Sequence, residues 1–481
     1  MIMKTFLTYF FILIISQSIT YAQLNITTFG AIGDAKTLNT QTIQQAIDKC
    51  AAQGGGVVLI PKGIFLTGTI VLKTGVKLEI TEGSILLGSN KREDYQKNDW
   101  YALILAKGQK NISITGKGII DGQGKDLAAD VERMRQAGLI KNVKPHNRPD
   151  ENHRPQIIEM TDCENVKIEG VTIKNAACWV QTYHNCTHLK IHKIRVESTA
   201  YWNNDGIDII DCRHVKITDC FVNSADDAIC LKSHDAKLFC EDIEIARCTL
   251  RSSASAFKIG TASYGGFKHI RVTHLYIYDT YRSAIALECV DGGFIEDVSI
   301  KNIVAKNTGN AFFIRIGHRL QSRPIGRVKG ISIKNLKADI PKEKPDKGYE
   351  MEGPRADSTS NLLPSSIVGL PNNPIKNVFL RNIDITYGGG SNRDTAYIPI
   401  NALSKVPEHP KEYPEFSMFG ELPAWGFYLR HTEGVHFKNV KLTLKETDYR
   451  PAVVVDDAVF LRLKKMKIST GGGEPKVYRE K

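Results

Sequence analysis

The sequence predicts an all-β chain wound into a single-stranded right-handed parallel β-helix with a short N-terminal capping helix. Two observations carry that prediction. A short alternating strand pattern recurs at a nearly fixed spacing, and the chain runs on without a Ser/Gly/Pro-rich linker that would divide it. The pattern begins at Asn111, Asn165, His188, His214, Asp242, His269 and Asp297, with further copies near Gly330, Asn377 and Gly434. The interval is most regular from His188 to Asp297, where each start follows the last by nearly the same length of chain, the mark of a solenoid. Each copy is rich in Val, Ile and Thr with period-two alternation, so each reads as a strand with one face inward, and helical repeats are disfavoured. Coils of roughly 22 to 28 residues, stacked about 4.8 Å apart, bury a long core without a single compact one.

The elements follow in order. Lys4, an apolar run from Phe6 to Ile15, and Thr20-Tyr21-Ala22 form the charged, apolar and small-residue sequence of a signal peptide, expected over 1–22. The apolar stretch is short for a membrane span and none later reaches that length. The remainder, 23–481, is expected to be exported, to be secreted or periplasmic, and to fold as one β-helix domain that acts as a monomer. Over Thr42 to Ala52, Ile43, Ala46 and Ile47 recur at helical spacing before Gly54-Gly55-Gly56, which places an amphipathic helix over the open end of the solenoid. Lys125 to Arg154, Pro341 to Pro374 and Gly388 to Pro423 break the period and read as long loops of the kind that wall a cleft.

The formal charge is +12, with 64 Lys and Arg against 52 Asp and Glu. The cations are scattered rather than gathered into a stripe, which suits an anionic polysaccharide and opposes nucleic acid. Of the ten cysteines, Cys220 and Cys248 fall at matching places in consecutive repeats, which allows a disulfide. Most lie in apolar strand-like runs, which favours buried free thiols. With no CxxC or Cys/His spacing, neither a metal nor a cofactor is expected.

Two acidic segments lie one coil apart: Asn203-Asn204-Asp205-Gly206-Ile207-Asp208 and Ser224-Ala225-Asp226-Asp227-Ala228. An isolated aspartate in a solenoid turn is more often a turn cap or part of a surface ladder; two such segments on neighbouring rungs reverse that preference. Asp226 and Asp227 would repel if both were charged and dry, so one keeps a proton and supplies a general acid. Glycoside hydrolysis needs this division between an acid at the leaving oxygen and a carboxylate that activates water or attacks the sugar.

These residues resemble glycoside hydrolase family 28, the polygalacturonases and related pectin hydrolases. The resemblance covers nearly the whole chain after Ala22. It rests on Phe29-Gly30-Ala31-Ile32-Gly33-Asp34, on Ile120-Asp121-Gly122-Gln123-Gly124 and on both acidic segments, where Asn203-Asn204-Asp205 resembles the family's Asn-Thr-Asp motif. It implies a pectin-lyase-like solenoid and an inverting hydrolase with Asp226 as general acid and Asp205 and Asp227 holding the attacking water. Two family motifs are missing. Ala254-Ser255-Ala256 stands at the Gly-His-Gly element, and Ala286-Leu287-Glu288 at the Arg-Ile-Lys element that binds the substrate carboxylate. Glu288 would repel a uronate there, which points away from ordinary polygalacturonan.

Asn203, Lys232, Lys258, Glu288, Arg315 and His318 are the candidate substrate-binding residues. Lys232 and Lys258, one coil apart, together with Arg315, His318 and Arg319, would rebuild an anion site; alternatively Lys258 pairs with Glu288 as a structural bridge. Trp179, Tyr183, Tyr201 and Trp202 either stack on sugars or pack the coil. The segment Phe416 to His431, with Trp425, Tyr428 and Arg430, either completes the cleft or packs the C-terminal coils, the latter favoured. A polysaccharide lyase using Ca²⁺ and a Lys base, and a non-catalytic glycan-binding β-helix, are the competing readings.

Overall fold

The computed structural model describes residues 22–143, 147–349, 361–391, 393–394, 398–469 and 471–480. The signal-peptide segment lies outside the described residues except for Ala22. No helix among them is long and apolar enough to cross a membrane.

The chain is a parallel β-helix. Coils contribute to three stacked ladders whose strands pair in parallel with their counterparts one coil on, and Gln96–Lys97 pairs antiparallel with Tyr101–Lys107. One ladder runs through Gln156–Thr161, Gln181–His184, Ile207–Ile210, Ile229–Ser233 and Phe257–Ser263. The second runs through Glu164–Glu169, Thr187–His192, Arg213–Thr218 and Cys240–Ala246. The third runs through Thr172–Lys174, Arg195–Ser198, Phe221–Ser224 and Thr249–Ser252. From Gly266 onward the bends between ladders remain strand-like, so whole coils form single long strands, Gly266–Cys289 and Phe294–Ile316.

The register explains the periodic sequence. Val166, Leu189, Val215, Ile243, Ile270, Val298, Ile331, Val378 and Val435 are successive partners in the second ladder, and all are buried. Burial of each such side chain stabilises by roughly 1.5–3 kcal/mol. One apolar core runs from Ile26 to Val455. All ten cysteines are buried and free, so Cys220 and Cys248 form no disulfide.

Helix α1 spans Thr40–Ala52 and buries Ile43, Ala46, Ile47 and Cys50 against the first coils, where the sequence placed its cap. The expectation of a loop over Lys125 to Arg154 needs correction, because helix α2 occupies Gly124–Gln136. Its buried residues, Leu127, Ala128 and Val131, share one face, but the charged residues around them hid the stripe. The third interruption, from Gly388 to Pro423, carries only a 3₁₀ turn at Leu403–Lys405 among its described residues. It folds back over the solenoid with a small core of its own, including Leu403, Val406, Phe416 and Phe419.

Candidate active site

The acidic segments occupy the bend where the third ladder passes into the first. Gly206 N donates to Asp227 O at 2.9 Å and Ile207 N to Ala228 O at 3.0 Å, which stacks the Asp205 turn on the Asp227 turn. Only glycine fits at 206, because a Cβ there would lie 2.4 Å from Val222 Cγ1 and 2.6 Å from Ala228 O. The next bends are fixed by serines. Ser224 Oγ and Ser252 Oγ donate to Asp226 O at 2.8 and 2.6 Å, and Ser253 Oγ donates to Ala225 O at 2.6 Å. These bonds use the backbone and hold the turn, while the Asp226 carboxylate accepts from Asp227 N at Oδ1, at 2.9 Å, and lines the cleft.

The acids are arranged with two buried lysines. Lys232 Nζ lies 2.9 Å from Asp205 Oδ2 and also binds Asp208. Lys258 Nζ lies 3.0 Å from Asp227 Oδ2, 3.6 Å from Glu288 Oε2 and 3.1 Å from the Tyr413 hydroxyl. Asp227 Oδ1 also accepts from Ser255 N at 3.0 Å. An oxygen of Asp205 and one of Asp227 lie within 4.8 Å of each other and of the Cys230 sulfur. The ammonium groups of Lys232 and Lys258 already neutralise this set, and it offers few of the six to eight oxygens that Ca²⁺ takes.

These contacts separate the carboxylates electrostatically. Burial, reinforced by the charges of Asp205 and Asp227, pushes Asp226 up to about 8. Burial also opposes ionisation of Asp227, but Lys258, Lys232 and Arg282 outweigh it and hold Asp227 below its ordinary value. Asp205 is raised by burial, against which Lys232 works. Burial lifts Glu288 to about 7 despite Lys258. For both lysines burial favours the neutral form, yet the surrounding carboxylates win and keep them charged. The site thus holds a protonated acid beside an ionised carboxylate at neutral pH.

A cleft of about 740 Å³ opens on these groups. Asn203, Asp205, Asp226, Asp227, Lys232 and Lys258, all expected from the sequence, line it, as does Trp179. Asn203 Oδ1 accepts from Arg154 at 2.8 Å. Glu288 sits behind Lys258, where Thr261 Oγ1 donates to it at 3.0 Å. Lys258 therefore makes the bridge to Glu288 while also serving Asp227.

Three expected substrate-binding residues are corrected, the first being Glu288, which is buried and does not line the cleft. Arg315 is fully buried and donates to the carbonyls of Gly369, Glu408 and His409, so its guanidinium ties the 404–412 segment to the solenoid. His318 shares a hydrogen bond of 2.7 Å with Arg323 O through Nε2, and its backbone N–H donates to Pro410 O at 2.6 Å. Neither lines the cleft. Tyr183 is a core residue that donates to Gln181 Oε1, and Trp425 and Tyr428 are likewise buried. Arg430 pairs with Glu408 and Asp456. Tyr201 and Trp202 lie beside Arg154 and Arg148 respectively, outside the main cleft.

One wall of the cleft is absent from the residues expected on sequence grounds. His409, Glu412, Tyr413, Glu415 and Met418 reach the cleft from the third interruption, and Arg282 joins them with Nε 3.3 Å from Glu415 Oε2. Arg282 lies one coil step after Ala254, to whose carbonyl its backbone N–H donates at 2.8 Å, and that spacing was a usable signal. The wall residues lie in the interruption that the sequence marked as a loop able to wall a cleft, but because they belong to no repeat the sequence did not single them out one by one.

Known proteins are similar to this chain in sequence and in fold. The family described as glycosyl hydrolases family 28 matches residues 50–339. The probable polygalacturonase of Vitis vinifera is 25% identical over 337 residues, covering 64% of this chain and 60% of that protein. The exo-poly-alpha-D-galacturonosidase of Dickeya chrysanthemi is 28% identical over 256 residues, covering 43% of this chain and 41% of its own length. The chain thus matches 41% to 60% of the length of these two relatives. The hyperthermoactive exopolygalacturonase of Thermotoga maritima shares the fold with a TM-score of 0.61 at 24% identity, over 76% of this chain and 87% of that one. The family 28 exopolygalacturonase of Yersinia enterocolitica does so with a TM-score of 0.57 at 18% identity, over 94% and 79%. With more than half of its length matched by the family, the chain belongs to glycosyl hydrolases family 28.

Proposed function

We propose that this chain is an exported, monomeric glycoside hydrolase that cleaves O-glycosidic bonds in a pectin-like or other acidic polysaccharide with inversion. The observation that carries the reading is the division of labour among the three aspartates. Asp226 on the cleft surface is held protonated to about pH 8, while Asp227 beside it is held ionised and shares a gap of less than 4.8 Å with Asp205. Asp226 gives its proton to the leaving oxygen as the glycosidic C–O bond breaks. Asp205 and Asp227 position a water between them and take its proton as its oxygen bonds to the anomeric carbon from the opposite face. The names of the relatives, polygalacturonase and exo-poly-alpha-D-galacturonosidase, support a pectic substrate.

The lyase alternative is disfavoured because it needs a neutral lysine as base. Lys232 and Lys258 are each pinned in the ammonium form by carboxylates. The test is incubation with a panel of pectic and marine polysaccharides, following both new reducing ends and absorbance of unsaturated uronates. Hydrolysis predicts reducing ends without absorbance, lost in Asp226→Asn. Unsaturated products, or release unchanged in that variant, would overturn the reading.

A further inference from the structure

The cations around the aspartates are all engaged. Lys232 is ion-paired with Asp205 and Asp208, and Lys258 with Asp227 and Glu288. Arg282 faces Glu415, and Arg319 binds Asp291 through both of its forked nitrogens at 2.9 and 2.6 Å. Glu151, Glu412 and Glu415 add further negative charge to the cleft walls. A sugar carboxylate at the reacting position would find every Lys and Arg among the described lining residues already facing a carboxylate, Arg282 through an ion pair that leaves its Nε without a hydrogen bond.

A smaller cavity of about 250 Å³ adjoins the cleft, and Glu151 and Asn203 line both. Its lining includes Trp100, the cations Arg148 and Arg154, and the acids Asp150 and Glu151, of which Asp150 accepts from the Val143 N–H. Arg154 is occupied, since it donates to Ala177 O, Trp202 O and Asn203 Oδ1. Arg148 differs. It is half-buried, its guanidinium lies 4.8 Å from the centre of the Trp202 ring, and it makes no ion pair among the described residues. Trp179 in the cleft and Trp100 in the side cavity have ring centres 5.1 Å apart; Trp179 is largely buried with the Lys232 ammonium 4.5 Å from its ring centre, so half-buried Trp100 offers the more open aromatic face between the two cavities. Aromatic faces of this kind stack on the apolar faces of sugars. A guanidinium held over an indole is pre-oriented, and its planar fork matches a carboxylate.

We propose that the side cavity is the carboxylate-recognising subsite, with Arg148 as its cation and the Trp100–Trp179 surface as the track between the sugar bound there and the sugar being cleaved. This rests on the hydrolase reading of the adjoining cleft. It deepens that reading by assigning the substrate class: a glycan that carries its carboxylate away from the scissile linkage and presents a sugar without a free carboxylate to Asp226. The missing cations at Ala286 and Glu288 are then a consequence of where the charge of the substrate lies.

The test measures binding rather than turnover. In an Asp226→Asn background, calorimetry compares oligosaccharides from partial acid hydrolysis of pectin with the same mixture after chemical reduction of its carboxyl groups. The acidic form is expected to bind at least tenfold more tightly. That preference is expected to fall by about tenfold when Arg148→Ala is added and to be partly restored by Arg148→Lys. Binding with no preference, or a preference that survives Arg148→Ala, overturns the subsite while leaving the hydrolase reading in place. Failure of both forms to bind overturns the two together.

Discussion

Two polar columns run along this solenoid, and both come from repetition of one side chain at one coil position. On an exposed bend, Asn302, Asn335, Asn382 and Asn439 stack so that each amide donates to the one before, at 2.8 Å for Asn335 to Asn302, 2.8 Å for Asn382 to Asn335 and 2.9 Å for Asn439 to Asn382. All four adopt a left-handed backbone, which asparagine tolerates better than most residues. At the bend into the first ladder, Asp205 and Asp227 stack instead. An amide is donor and acceptor at once, so its column satisfies itself; a carboxylate only accepts, so its column needs Lys232 and Lys258 and leaves Asp226 with a proton. The same stacking rule therefore yields a structural ladder from one residue type and a chemically unbalanced, reactive set from the other.

Substitutions in each column test this contrast. The largest effect is expected from Asp226→Asn, which removes the transferable proton while keeping the shape. Reducing-end release should fall by about 10³-fold with the thermal unfolding midpoint little changed, since general acids contribute on the order of 10² to 10⁴. A midpoint that collapsed along with activity would make the aspartate structural, like its ladder counterparts. Next, Lys258→Met strands the Asp227 and Glu288 carboxylates without their cation. A loss of about 3–5 kcal/mol in urea unfolding is expected, the usual cost of breaking a buried ion pair from one side.

The pH dependence follows with its sign fixed by the direction of the shifts. Glu288 in the folded chain titrates near 7 rather than its ordinary 4.5, so between those values the folded state binds more protons than the unfolded state. Stability is then highest below about 4.5 and declines as pH rises to about 7, by on the order of 3 kcal/mol for this group. Denaturant midpoints across that range should show the decline in the parent and a shallower one in Glu288→Gln. For catalysis, activity should fall as pH rises through about 8, where Asp226 loses its proton. The smallest effect belongs to the exposed column, where Asn382→Ala should change stability by only about 0.5 kcal/mol. A loss as large as that of Lys258→Met would erase the distinction.

Much of the fold was legible because the repeat is a physical period. The strand starts at Asn111, Asn165, His188, His214, Asp242, His269, Asp297 and Asn377 all sit at positive φ, as do Gly330 and Gly434, so the residues that marked each repeat also make its turn. The aspartates were legible for the same reason, since one coil of sequence is one rung of structure. The wall from His409 to Met418 was legible only as a loop able to border a cleft and not residue by residue, because an insertion outside the period has no register to place it. Arg315 was misassigned through that blind spot. Its strand position faces outward from the coil, but the inserted segment covers it with carbonyls. Helix α2 was lost to charge masking its short apolar face.

The central claim, that Asp226 donates a proton while Asp205 and Asp227 deliver water from the other side, is tested most directly by the anomeric configuration of the first product. Proton NMR during the first minutes of digestion of a pectic oligosaccharide that proves to be cleaved should show the anomer opposite to that of the cleaved bond, equilibrating afterwards. Initial retention of configuration, or an unsaturated product with no new anomeric hydroxyl from water, would contradict it.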